Sequence, residues 1–117
     1  MQWVIDKNRP ICPQLCEQIC VNIACGRYKE GERMPSVREM AVEAGVNPNT
    51  VQRAYETLET QGVLYSVRGS GWFITEEKAS SEKILDELLR EKTEEYFTAM
   101  KALGMNEEQI KQYVKEW

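Results

Sequence analysis

The chain has 117 residues, 42% of them apolar and 29% charged, a composition of one compact globular domain or a small domain with an appendage. It contains no histidine, which excludes His-containing triads and most hydrolytic zinc sites. The net charge of −4 is unevenly placed: residues 1–75 carry 8 basic and 8 acidic side chains, whereas residues 76–117 carry 7 and 11. No run reaches the roughly 20 apolar residues of a membrane span, and the first 25 residues hold no signal-peptide core, so a cytoplasmic protein is expected.

Trp3-Val4-Ile5-Asp6 has β propensity and predicts a short strand before the turn-prone Asn8-Arg9-Pro10. From Pro13 to Cys25, Leu15, Ile19 and Ile23 recur every four positions, the stripe of a first helix that Gly26 closes. Tyr28 to Met34 reads as a loop around Gly31. Ser36 followed by Glu39 has the spacing of a capping box, so a second helix starts there, with Val37, Met40 and Ala41 inward, and stops near Ala44-Gly45. Asn47-Pro48 begins a third, running to about Gln61 with Val51, Ala54, Tyr55 and Leu58 inward.

The period then changes to two. Residues 63–67 and 72–75 flank Arg68-Gly69-Ser70-Gly71, which predicts a β-hairpin with a glycine-rich tip. Glu76 to Ser81 is a polar seam. A long helix from about Glu82 to Leu103 and a short one after Asn106 complete the chain. The fold class is mainly α with a small β-hairpin: a winged helix-turn-helix over residues 1–76 and a two-helix tail over 77–117.

In that architecture the third helix enters the major groove of DNA, so its N-terminal end should expose side chains able to read base edges. Asn47, Asn49, Thr50, Gln52 and Arg53 cluster there, and Asn, Gln and Arg make bidentate contacts to bases. Arg38 is placed for a phosphate or a guanine. Arg68 at the hairpin tip suits a minor groove, with Gly69 and Gly71 permitting close backbone approach.

Three blocks carry a resemblance. Met34-Pro35-Ser36-Val37-Arg38-Glu39-Met40-Ala41, then Gly45 to Tyr55, then Leu58-Glu59 and Gly62-Val63-Leu64, resemble the GntR family of bacterial transcription regulators, and residues 68–74 resemble its wing. The Asn47–Tyr55 phrase with a tail of about 40 residues is most similar to the YtrA subfamily. The resemblance implies a homodimeric repressor acting on double-stranded operator DNA, with transporter operons among its targets, and implies DNA contacts at Ser36, Arg38, Asn47, Asn49, Thr50, Gln52, Arg68 and Gly69. Many relatives have Arg at the places of Pro48 and Gln52, so different bases should be read with less positive charge. Trp72 stands where many have Thr, and Cys12 where the family is usually aromatic.

The tail carries more apolar side chains than a solvated cap needs. Leu85, Leu88, Leu89, Tyr96, Met100, Leu103, Ile110, Tyr113 and Val114 are the candidates for a twofold dimer interface, which predicts an inverted-repeat operator. Cys12, Cys16, Cys20 and Cys25 lie four, four and five apart. One straight helix cannot wrap four ligands around a metal ion, and thiols at i, i+4 lie about 6 Å apart with parallel Cβ vectors, unsuited to a disulfide. Reduced thiols filling half-buried space are the expectation, and a thiol or metal sensor or a protein-docking winged helix is the rival reading. No nucleophile–base pair, phosphate-cradling loop or metal cluster points to an enzyme, and no cofactor is implied.

Overall fold

A computed structural model describes residues 3–117. In chain order its elements are α1 (Ile11–Ala24), α2 (Val37–Ala44), α3 (Pro48–Thr60), β1 (Leu64–Val67), β2 (Gly71–Ile74), α4 (Lys78–Ala102) and α5 (Glu107–Glu116). They form two compact units, one ending at Leu85 and one running Asp86–Trp117.

In the first unit α3 is the central element, packed against α1, α2 and β1. Leu15 and Ile19 from α1, Met40 from α2, Val51, Ala54, Tyr55 and Leu58 from α3 and Ile74 from β2 are completely buried. Each such side chain contributes roughly 1.5–3 kcal/mol through removal from water, alanine less. The period-four and period-three apolar stripes read from sequence are therefore the ones that meet in this core.

Residues 3–6 form no strand. The Val4 N–H and carbonyl are both taken by the side-chain amide of Gln18, and those of Asp6 by the amide of the buried Gln14. A glutamine amide presents a donor and an acceptor together, so it satisfies an extended segment as a neighbouring strand would, without a sheet. This local pairing overrides the β propensity of Trp3-Val4-Ile5.

Both predicted starts of the helix-turn-helix are present. Ser36 and Glu39 close a capping box on α2, and Gly45 ends that helix in the left-handed region at φ 68°. The reversal is completed by the Val46 N–H donating to the Ala41 carbonyl at 3.0 Å. Asn47 then caps α3, its side-chain oxygen accepting from the Asn49 N–H, with Pro48 as the first helical residue.

β1 and β2 are antiparallel, in register from Leu64↔Ile74 to Val67↔Gly71. Residues 31–34, expected as a loop, add a third edge to β2. Arg33 bridges to Phe73, the Met34 N–H donates to the Trp72 carbonyl at 2.8 Å, and the Ile74 N–H donates to the Glu32 carbonyl at 2.9 Å. So short a ladder has no periodicity to betray it.

α4 begins at Lys78, four residues before the expected Glu82, and takes up much of the polar 76–81 stretch. The Thr75 hydroxyl receives the Glu77 N–H, and the Ser80 hydroxyl donates to the Glu77 carboxylate. Polar composition here marks exposed helix surface.

In the second unit, Asn106 and Gln109 form a second capping box at the start of α5. Ile110 is its one completely buried side chain. Leu89, Tyr96, Phe97, Tyr113, Val114 and Trp117 border an open groove of about 560 Å³. Among the described residues no helix is long and apolar enough to cross a membrane.

Candidate nucleic-acid interface

The site is built outward from α3. With Val51, Ala54, Tyr55 and Leu58 turned into the core, the opposite face at its N-terminal end carries Asn49, Gln52 and Arg53, all exposed. Spacings of three and four residues put them on one side of the helix. None of the three side chains is hydrogen-bonded or ion-paired within the described protein, so their donors and acceptors are open to a ligand. Arg38 on α2 is likewise exposed and unpaired. Thr50 is half-buried.

Two expected contacts have a structural duty as well. The Asn47 side-chain oxygen is committed to the Asn49 N–H at 2.8 Å, which leaves its NH₂ group for a partner. The Ser36 hydroxyl oxygen accepts from the Glu39 N–H at 3.1 Å, and the Glu39 carboxylate accepts from the Ser36 N–H at 2.9 Å. Those bonds, helped by the charge of Arg33, hold the Glu39 carboxyl below the usual carboxylate range. The Ser36 hydroxyl proton therefore stays available to a partner while the cap is intact.

The wing is fixed to α3 at several points, none of them read from the sequence. Glu59 near the end of α3 accepts from the Ser66 hydroxyl at 2.8 Å and from its N–H at 3.2 Å. Tyr55 places its ring 5.5 Å from that of Trp72, edge to face, and donates its hydroxyl to the Pro35 carbonyl at 2.8 Å. Burial pushes the Tyr55 phenol far above its ordinary range, so it remains a donor. Trp72, the departure from the family's usual Thr, is thus a bearing between the wing and the third helix. At the tip Arg68 and Gly69 are exposed. Tyr65 and Phe73 stack across the strands with centroids 5.6 Å apart.

The four cysteines lie in α1 and just after it. No disulfide joins them, Cys12, Cys16 and Cys20 are half-buried, and Cys25 is exposed. The Cys16 thiol faces the Ala54 carbonyl of α3 at 3.6 Å. Burial first, then the neighbouring Cys12 and Cys20, push it up to about 12, which keeps it protonated. Among the described residues no group of three or more acidic, thiol or imidazole side chains is arranged to hold a metal ion.

Residues 13–74, which span the helix-turn-helix and the wing, match the family described as bacterial regulatory proteins, gntR family. The chain belongs to the GntR family. Among its relatives, the uncharacterized HTH-type transcriptional regulator YhcF of Bacillus subtilis is 37% identical over 94% of this chain and 91% of the relative. The HTH-type transcriptional repressor YtrA of the same species is 32% identical over 93% and 85%, which supports the YtrA-like reading. A solved GntR family transcriptional regulator from Listeria monocytogenes superimposes with a TM-score of 0.86 at 38% identity, covering 97% of this chain and 99% of that one. The DNA-binding domain of AraR, solved in complex with operator ORX1, matches 64% of this chain and 99% of its own, with a TM-score of 0.57 and 27% identity. This GntR chain is accordingly a DNA-binding transcriptional regulator, in a family whose compared members are regulators and not enzymes.

The tail residues expected at a dimer interface differ in exposure. Leu85, Leu89, Tyr96, Leu103, Tyr113 and Val114 are exposed, and Leu88 and Met100 are half-buried. Ile110 is different: it is completely buried in its own chain, because it is the inward residue of α5, and has no surface left for a partner.

Proposed function

We propose that the chain is a homodimeric repressor that binds an inverted-repeat operator, with residues 1–76 as the DNA-binding domain and 77–117 as the dimerisation tail. The N-terminal end of α3 enters the major groove and the wing tip the minor groove. Asn47, Asn49, Thr50 and Gln52 read bases, Arg38 and Arg53 hold phosphates or a guanine, Ser36 adds a hydroxyl contact, and Arg68 and Gly69 make the minor-groove contact.

One observation carries this reading: Arg38, Asn49, Gln52 and Arg53 are exposed at the helix-turn-helix, and among the described residues no other group engages their side chains. Leaving so many hydrogen-bonding side chains uncommitted on one face serves a polar ligand, and two of the four are cationic. The similarity to the repressor YtrA supports repression, and the exposed Leu89, Tyr96, Tyr113 and Val114 support a twofold contact through the tail. Operons that include transporter genes are the proposed targets.

The test is to present the purified full chain with a random pool of duplexes and sequence those retained. Recovery of a motif with two inverted half-sites is the expected result. A retained pool with no enriched sequence would remove specific operator binding.

A further inference from the structure

The tip that offers Arg68 to DNA lies beyond the last strand pair, Val67↔Gly71, and has little of its own to hold it. Inside the turn the Ser70 N–H donates to the Val67 carbonyl at 2.9 Å. The other anchor comes from 37 residues earlier in the chain: Arg33 donates its Nε–H to the Ser70 carbonyl at 2.9 Å. A second observation points to the same seat. Gly71 has φ +106°, and a Cβ placed there would come within 3.4 Å of both Nε and Nη2 of Arg33. The guanidinium therefore rests against the bare backbone of Gly71 while it holds the preceding carbonyl.

Arg33 is itself firmly placed. It pairs with Phe73 in the bridge, and the following Met34 N–H is bonded to the carbonyl of Trp72, whose ring meets Tyr55 of α3. A hydrogen bond from a cation to a carbonyl is stronger than a neutral one, and this one joins the wing tip to the segment that leads into α2.

We propose that Arg33 is the positioning residue of the wing, its bond to the Ser70 carbonyl setting where Arg68 and Gly69 meet the minor groove. This rests on the reading of Arg68 and Gly69 as DNA contacts. Arg33 acts through the tip and does not itself touch DNA.

The test uses the full chain and a duplex it has selected from the random pool, with Arg33→Ala, Arg33→Lys, Arg68→Ala and the Arg33→Ala/Arg68→Ala pair. Thermal unfolding of each variant shows that the fold is intact. Arg33→Ala should weaken binding by about five- to tenfold, Arg33→Lys by less, and the double variant should lose clearly less than the product of the two single losses, the remainder acting through Gly69. Hydroxyl-radical protection of the minor-groove sugars should fade in Arg33→Ala, while protection of guanine N7 in the major groove persists.

Multiplicative losses in the double variant would show Arg33 working independently of the tip and overturn the proposal. So would an Arg33→Ala variant with unchanged affinity and footprint beside a weakened Arg68→Ala. If Arg68→Ala binds as well as the parent, the wing contact itself is wrong, a result distinguishable from the failure of Arg33 alone.

Discussion

Tyr55 shows how one side chain can tie core packing to the reading head. Its ring is completely buried, its hydroxyl holds the Pro35 carbonyl just before the α2 cap, and its edge contact supports Trp72 in the wing. Tyr55→Phe keeps the ring and strands the carbonyl, so it should lower stability by about 1–2 kcal/mol, seen as a lower urea midpoint with an unchanged slope. An unchanged midpoint would mean that another donor, such as water, replaces the phenol. Cys16 gives a sharper residue-level test. Alkylation requires a thiolate, and a thiol raised to about 12 is ionised on the order of one part in ten thousand at pH 8. In the native protein at that pH, iodoacetamide should label exposed Cys25 and leave Cys16 almost untouched. Cys16 labelling should rise steeply as pH increases toward its raised value and should become fast at pH 8 on unfolding. Equal native rates at Cys16 and Cys25 would contradict the burial that shifts Cys16, and would revive the thiol-sensor reading. The same residues mark the limit of sequence reasoning: the period-four stripe of α1 identifies Leu15 and Ile19 as core, but nothing in the spacing shows that Cys16 meets the α3 backbone.

At the scale of elements, the helix-turn-helix rests on two caps that serve different ends. The Ser36 and Glu39 side chains each accept the other's backbone N–H, whereas Asn47 caps α3 with its side-chain oxygen and leaves its NH₂ group unbonded among the described residues. Stability and DNA binding can therefore be separated at position 47. Asn47→Asp retains a capping acceptor and places a negative charge beside the helix N-terminus, which favours the fold. In the proposed docking that charge would face phosphate, and the substitution removes the amide donor. Asn47→Asp should leave the unfolding free energy within about 0.5 kcal/mol of the parent while weakening DNA binding at least tenfold, whereas Asn47→Ala should lose about 1 kcal/mol of stability and weaken binding as well. Paired calorimetry and fluorescence anisotropy check both, and an Asp variant that binds like the parent would take position 47 out of the interface. Caps of this kind are legible in sequence because they depend on residues two or three apart, and so is the hairpin, whose period changes at Gly62. What escaped is what depends on distant partners. Residues 3–6 have strand propensity but meet the amides of Gln14 and Gln18, and residues 31–34 have none but find the free edge of β2. Glu59 and Arg33 hold the wing across intervals that no local pattern encodes. At the N-terminal end of α3, by contrast, the polar run from Asn47 to Arg53 is readable because its apolar members have a core to face.

For the molecule as a whole, charge and dimerisation must be considered together. Residues 1–75 are balanced at 8 basic and 8 acidic side chains, so no general positive field draws DNA in. In the proposed reading, binding rests on a few local cations, chiefly Arg38, Arg53 and Arg68, all exposed. In the proposed dimer, three such cations per subunit make six; if each displaces one counterion, the slope of log affinity against log salt is about −5, and about half that for a single chain. The tail is what would join the two sets. Leu89 is 56% exposed beside Tyr96, Tyr113 and Val114 on the groove of the second unit, and apolar side chains left in water there gain roughly 1.5–3 kcal/mol each on full burial. Leu89→Asp places a charge in that apolar contact without disturbing the buried Ile110. Its expected result is a single-chain mass by sedimentation, an unchanged unfolding signal from residues 3–85, and weaker binding to a two-half-site duplex with the salt slope reduced toward half. A parent protein that sediments as one chain, or a variant that still binds with the steeper slope, would show that the six contacts are not assembled through the tail. Because the slope counts cations at the interface and the mass counts chains, the two measurements together separate a weak dimer from a reading head that binds DNA singly.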